Sequence, residues 1–218
     1  MKKYISILAL LVMILSFACR KKCESVKTGA VALNEVSKTY TPYEDGETLT
    51  FVNEQGDEML FTNERVAEDY RICVRYLCKN TSDPFQQIPC EYYEAEGFRN
   101  LLRTTTNDTL LIELVVSTEN YESESTLFYD IFSIHLSKIG SLARGQYVPY
   151  VGFTDPVFDE TNTYISEPMT EVDEIELMGK TYTDVIYTTD ADNQTLYLQK
   201  GKGLVVIRLD GILWGLEE

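Results

Sequence analysis

Apolar and polar residues alternate with a period of two along much of this chain, the pattern of strands that bury one face. In the middle, Thr109 to Ser117 places Leu110, Ile112, Leu114 and Val116 in phase, and Thr126 to Lys138 does the same with Phe128, Phe132, Ile134 and Leu136. The last quarter repeats the pattern in Lys180 to Thr189, Leu196 to Lys200, Leu204 to Leu209 and Ile212 to Leu216, with turns at Asp190 to Gln194, Gly201 to Gly203 and Asp210-Gly211. Asp-Gly between alternating runs is a strong hairpin signal. A C-terminal four-strand meander is therefore expected, with Ile212, Trp214 and Leu216 on the buried face of its last strand.

Upstream, Glu47 to Val52 and Glu58 to Thr62 form a hairpin around the five-residue loop Asn53 to Asp57, and Glu91 to Arg103 supplies another strand. Asn63 to Cys78 fits a helical face through Val66, Tyr70, Cys73 and Leu77. It also fits a strand through Tyr70, Ile72, Val74 and Tyr76, and its β-branched and aromatic content favours the strand in its second half. Residues 139 to 172 are weakly periodic and read as long loops with short strands around Tyr147 to Phe153. With no convincing long helix the fold class is all-β, either an antiparallel sandwich or a curved sheet forming a partly closed barrel.

The N-terminus follows a different pattern. Lys2 and Lys3 precede the apolar run Ile5 to Leu15, and Ala18 precedes Cys19. These are the three regions of a secretory leader, too short to be a persuasive transmembrane span. The expected organisation is a signal peptide over 1–18, a tether over 19–39, and a single antiparallel β domain over 40–218. Removing Lys2 and Lys3 takes the formal charge from −16 to −18. An acidic chain without clustered basic residues is poorly suited to phosphate backbones, which excludes a general nucleic-acid binder. The apolar content of 44% and the 15 Tyr and 9 Phe residues exclude a disordered chain.

Ser16-Phe17-Ala18-Cys19 resembles a relaxed lipobox of Bacteroidota lipoproteins. The resemblance implies cleavage before Cys19, acylation of that residue and a membrane anchor through the N-terminal lipid; the alternative is an ordinary leader with Cys19 left as a disulfide half. Gly46-Glu47-Thr48-Leu49-Thr50-Phe51-Val52-Asn53 through Gly56, and Leu196-Tyr197-Leu198 through Gly201, Gly203, Gly211, Trp214 and Leu216, look like features of small uncharacterised lipoproteins of that group. That family implies an envelope location and an all-β domain, and brings no assigned chemistry. Arg20-Lys21-Lys22 directly after the anchor differs from the acidic residues that mark surface-exported members, so an outer-membrane protein facing the periplasm is expected. Asp108-Thr109-Leu110 is similar to the O-glycosylation motif of the same bacteria, which makes Thr109 a candidate acceptor.

With Cys19 acylated, Cys23, Cys73, Cys78 and Cys90 remain, an even number in an oxidising compartment. Cys73 and Cys78 are separated by an odd number and point to opposite faces of a strand, so they should not pair with each other. Cys78 and Cys90 bracket a Pro-containing loop, and pairing them leaves Cys23 for Cys73. A zinc site fits poorly, because no C-x-x-C pair occurs and His135 is the single histidine.

Catalytic patterns are scarce. His135 faces away from Phe132, Ile134 and Leu136 and has no nucleophile motif to serve. Asp190, Asp192 and Asn193 begin like a calcium loop but lack its later Gly and Glu, so turn chemistry accounts for them. The acidic stretch Asp155 to Glu176 reads as a solvated loop, and Tyr92-Tyr93, Tyr147 and Tyr150 as strand residues able to stack on sugars. The expectation is a non-catalytic protein without cofactor or metal, binding or scaffolding an envelope protein or glycan. A carrier of an apolar ligand such as a lipid is the second expectation, and a carboxylate-dependent hydrolase the third.

Overall fold

A computed structural model describes residues 24–77, 88–105, 110–120, 128–138, 141–151, 169–190 and 192–217, the strand 141–151 by its backbone alone. The leader, Cys19, Cys23, Cys78 and Thr109 lie outside these residues. Twelve strands occur in chain order: β1 (Val26–Val31), β2 (Thr48–Asn53), β3 (Glu58–Tyr76), β4 (Cys90–Thr104), β5 (Leu110–Asn120), β6 (Phe128–Lys138), β7 (Ser141–Val151), β8 (Thr170–Leu177), β9 (Lys180–Thr189), β10 (Thr195–Gln199), β11 (Gly203–Leu209) and β12 (Ile212–Leu216). One short helix, α1 (Glu35–Lys38), is capped by Asn34, whose side chain accepts from the Val36 N–H.

The strands form one sheet in the order β7-β6-β5-β4-β3-β2-β12-β11-β10-β9-β8, antiparallel throughout, with β1 added parallel to the start of β4. The sheet curls into a half-barrel and brings β7 up to β9. Period-two alternation sends Phe51, Phe61, Leu102, Ile112, Leu114, Phe132, Ile134, Leu136, Leu196, Leu198 and Leu204 to the concave side, where they make one continuous core. The expected meander is present as β9 to β12, and β8 extends it by one hairpin.

A second cluster, including Leu177, Tyr182, Tyr197, Val205 and Val206, lies on the opposite face. Two irregularities produce it. The β10–β11 register shifts between Tyr197 and Leu198, so Val205 and Val206 both turn outward. Asp184 takes a left-handed backbone conformation (φ 51°) inside β9, which allows Tyr182 and Val185, an odd number apart, to share a face. The β8–β9 hairpin thereby folds back over the convex side. Its tip residue Met178 meets β12 at Gly215, where a Cβ would sit 3.1 Å from the Met178 sulfur.

Several expectations need correction. Asn63 to Tyr76 is strand in its first half as well as in the second, where strand was favoured, since β3 pairs with β4 from Phe61 to Tyr76. The region 141–151 is a single strand against β6, longer than expected. Residues 26–39, assigned to a tether, belong to the folded domain as β1 and α1. Ile212 is 44% exposed, because it begins β12 next to the turn, whereas Trp214 and Leu216 pack against the concave core. The disulfide joins Cys73 to Cys90, in place of Cys78–Cys90 and Cys23–Cys73. Cys73 is opposite Tyr92, two residues from Cys90, so the bond runs diagonally between the paired strands β3 and β4 with the two Cα atoms 5.7 Å apart.

Candidate functional site

The concave side of the half-barrel, where a carrier would hold its cargo, is filled by the chain itself. Residues 32–47 run from β1 into the mouth of the curl and insert Leu33, Tyr40 and Tyr43 into the core. The Tyr40 ring lies against Phe132 (centroids 5.8 Å apart), and the buried Tyr43 hydroxyl accepts the Leu204 N–H. Burial holds that phenol protonated well above the usual tyrosine range.

Polar bonds pin this plug on both sides of the curl. On β6, the buried Asp130 carboxylate accepts from the Asn34 N–H (2.8 Å), the Ser37 hydroxyl (2.6 Å) and the Thr118 hydroxyl (3.0 Å). At the β10–β11 turn the Gly201 N–H donates to Thr39 O at 3.0 Å. On β3, Arg65 stacks 4.1 Å from the Phe98 ring centre and donates to Tyr43 O, while Asn63 donates to Glu44 O and to Asn100 Oδ1. The inner wall is therefore part polar.

A second feature opens where β5 leaves β4. Their pairing ends at Gly97 opposite Ser117, and β1 takes the vacated edge of β4 opposite Glu91 to Ala95. The fork holds a cleft of about 480 Å³ lined by Val31, Asp69, Tyr70, Arg71, Glu94 and Glu96 among others. Tyr70 donates to Thr118 O, and burial pushes its phenol up to about 12. Two of the three cleft carboxylates are engaged: Glu94 with Lys27, and Glu96 with the Leu33 N–H (3.1 Å) and Lys38 (3.6 Å). What these groups offer is hydrogen bonding to a polar ligand.

On the convex face a row of charges crosses four strands. Arg99 lies between Glu68 and Glu113, and His135 Nδ1 is 3.4 Å from the second Glu113 oxygen. His135 is thus on the face that alternation assigns it, beside a carboxylate and part-exposed. The Glu68 and Glu113 side chains hold the Arg99 guanidinium in its charged form. The Asp190 side chain accepts from the N–H groups of Asp192 and Gln194, the geometry of a turn. Among the described residues, no group of three or more His, Cys, Asp or Glu is placed to hold a metal ion, and no helix is long and apolar enough to cross a membrane.

Sequence reasoning missed the plug, its anchor Asp130 and the cleft. Asp130 did leave a signal: it stands in phase with Phe132, Ile134 and Leu136, a charge on the buried face of its strand. Tyr92 is largely buried, with Arg71 over its ring at 4.6 Å, and Tyr93 packs edge-on against Phe128, so this pair serves internal packing. Comparison of the chain with protein-family models, curated proteins and solved structures finds no match.

Proposed function

We propose that the chain is a lipid-anchored envelope protein, held at the periplasmic face of the outer membrane through Cys19, which acts by binding an envelope protein or glycan and performs no catalysis. The leader, the small residue before Cys19 and the basic trio after it support the anchor and its orientation. The observation that carries the binding role is the filled concave side: Leu33, Tyr40 and Tyr43 occupy the space that an apolar cargo would take. Ligand contact then falls to the outer surfaces, where the cleft beside β1 offers polar groups suited to a hydroxyl-rich or peptide ligand.

Native purification from membranes tests this reading, with mass spectrometry of the mature N-terminus and of everything that co-purifies. The expected result is an acylated Cys19 and a stoichiometric protein or glycan partner, lost on replacing Glu96 and Arg71. A stoichiometric lipid in the purified protein would favour the carrier instead. A hydrolytic activity abolished by changing one specific pair of acids would replace the binding role with an enzymatic one.

A further inference from the structure

The strands β3 and β4 extend well beyond the half-barrel. β2 accompanies β3 only as far as Thr62, and β5 leaves β4 at Gly97, so residues 66–76 and 90–96, with β1, form a three-stranded arm. Its tip is where β1 begins: Val26 is opposite Glu91, Tyr76 is opposite Cys90, and the Leu77 N–H donates to Pro89 O.

Six large apolar side chains are exposed among the described residues, and four of them, Val26 (52%), Tyr76 (45%), Leu77 (37%) and Ile88 (46%), lie within a few rungs of one another at this tip. The other two, Val36 and Ile212, are elsewhere on the fold, so the exposure is concentrated at one end. Of the acids nearby, Glu91 faces Arg75 and Glu94 faces Lys27, while the exposed Glu24 precedes β1.

We infer that this tip is the membrane-contacting end of the molecule, with Val26, Tyr76, Leu77 and Ile88 seated in the interfacial zone of the bilayer that carries the anchor. The inference rests on the acylated Cys19 proposed above. Val26 stands seven positions after Cys19, and even fully extended that length of chain spans only about 25 Å. The start of β1 is therefore held near the bilayer. The 19-residue β3 is about 60 Å long if straight, so the turn at Asn53 to Asp57 can stand far from the lipid. Arg20, Lys21 and Lys22 lie between anchor and tip, where anionic headgroups attract them. An exposed tyrosine together with exposed aliphatic side chains suits the boundary between headgroups and acyl chains.

Brominated lipids provide the test. The full lipidated protein, with its single tryptophan removed as Trp214→Phe, is reconstituted into phosphatidylethanolamine–phosphatidylglycerol vesicles as three reporters: Tyr76→Trp, Ile88→Trp and Ile212→Trp. With bromines on the acyl chains near the glycerol backbone, Tyr76→Trp and Ile88→Trp emission should fall about twofold or more, and Ile212→Trp emission should not change. Protein that floats with the vesicles but shows unquenched reporters at both tip positions overturns the inference and leaves the anchor standing. Protein that neither floats nor carries acyl mass on Cys19 overturns the lipoprotein reading itself, and the inference with it.

Discussion

A carboxylate on the buried face of a strand must be matched by donors before that face can close, and Asp130 receives three, two of them from the plug. Replacing it by Ala leaves two hydroxyls and an N–H unmatched, at about 1 to 3 kcal/mol for each group that water cannot reach. Asp130→Ala should therefore lower the urea midpoint sharply and raise binding of a hydrophobic dye, as Tyr40 and Tyr43 lose their seat. Gly203 is as constrained from the other side. Its φ is +77°, and a Cβ there would lie 2.2 Å from the Tyr43 hydroxyl. Gly203→Ala should cost at least about 2 kcal/mol in chemical denaturation, whereas Gly201→Ala, with open space around it, should cost only the 1 kcal/mol or so of its left-handed backbone. Tyr43 also predicts an alkaline limit. Its folded pKa is raised, so below the ordinary tyrosine value near 10 its contribution is complete. Above pH 10 the unfolded chain releases the phenolic proton while the folded chain keeps it, and stability falls by about 1.4 kcal/mol per pH unit for this one group. Equilibrium unfolding from pH 9 to 11.5 should show that slope, reduced in Tyr43→Phe.

At the scale of elements, Asp184 separates the flat part of β9 from the hairpin that folds over the convex face. An L-residue with a branched Cβ resists this conformation, so Asp184→Val should cost about 1 to 2 kcal/mol, while Asp184→Gly should be neutral or slightly stabilising; differential scanning calorimetry distinguishes the two. The sequence does not announce this bend, because an Asp in an alternating run reads simply as a solvent-facing position. Elements with local signals were legible. Asp210-Gly211 forms its tight turn with φ of 51° and 82°, and Asn53 organises its five-residue loop by accepting from the N–H groups of Gln55 and Asp57. The plug was not legible: Asn34 and Ser37 look like tether residues until Asp130, far along the chain, is placed beside them. The cleft failed for a similar reason, since it exists only where β1 replaces β5 against β4. The disulfide was misassigned because spacing shows loop length, whereas the β3–β4 pairing sets Cys73 opposite Tyr92 and so within diagonal reach of Cys90. With those two joined, and Cys19 acylated as proposed, Cys23 and Cys78 are the cysteines left. Cys23 stands two residues before Ser25, whose hydroxyl accepts the Cys90 N–H, and Cys78 follows Leu77, whose N–H reaches Pro89. Non-reducing peptide mapping should therefore recover Cys73–Cys90 and Cys23–Cys78; a Cys78–Cys90 peptide would refute the register.

For the whole molecule, stability is divided unevenly between the half-barrel and the arm. The half-barrel closes around one continuous core and is locked by the plug, whereas the buried Ile72, Val74, Tyr92 and Ala95 of the arm belong to neither of the two hydrophobic clusters. The arm is held by its ladders, by surface ion pairs that contribute little, and by the Cys73–Cys90 bond. A cross-link within a weakly cored unit acts on the local opening of that unit more than on global unfolding. Reduction, or the Cys73→Ser/Cys90→Ser variant, should thus speed amide exchange about tenfold or more in residues 26–31, 66–76 and 90–96, equivalent to about 1.4 kcal/mol of local stability. Exchange in β5, β6 and β11 should hold constant, because their opening requires the core itself to separate. Uniform acceleration across all the strands would show that arm and half-barrel unfold as one unit, joined through the Leu33 and Asn34 contacts where β1 passes into the plug. The first outcome leaves an arm able to adjust while the half-barrel stays rigid, the division of labour that the proposed binding body on an anchored stalk would require.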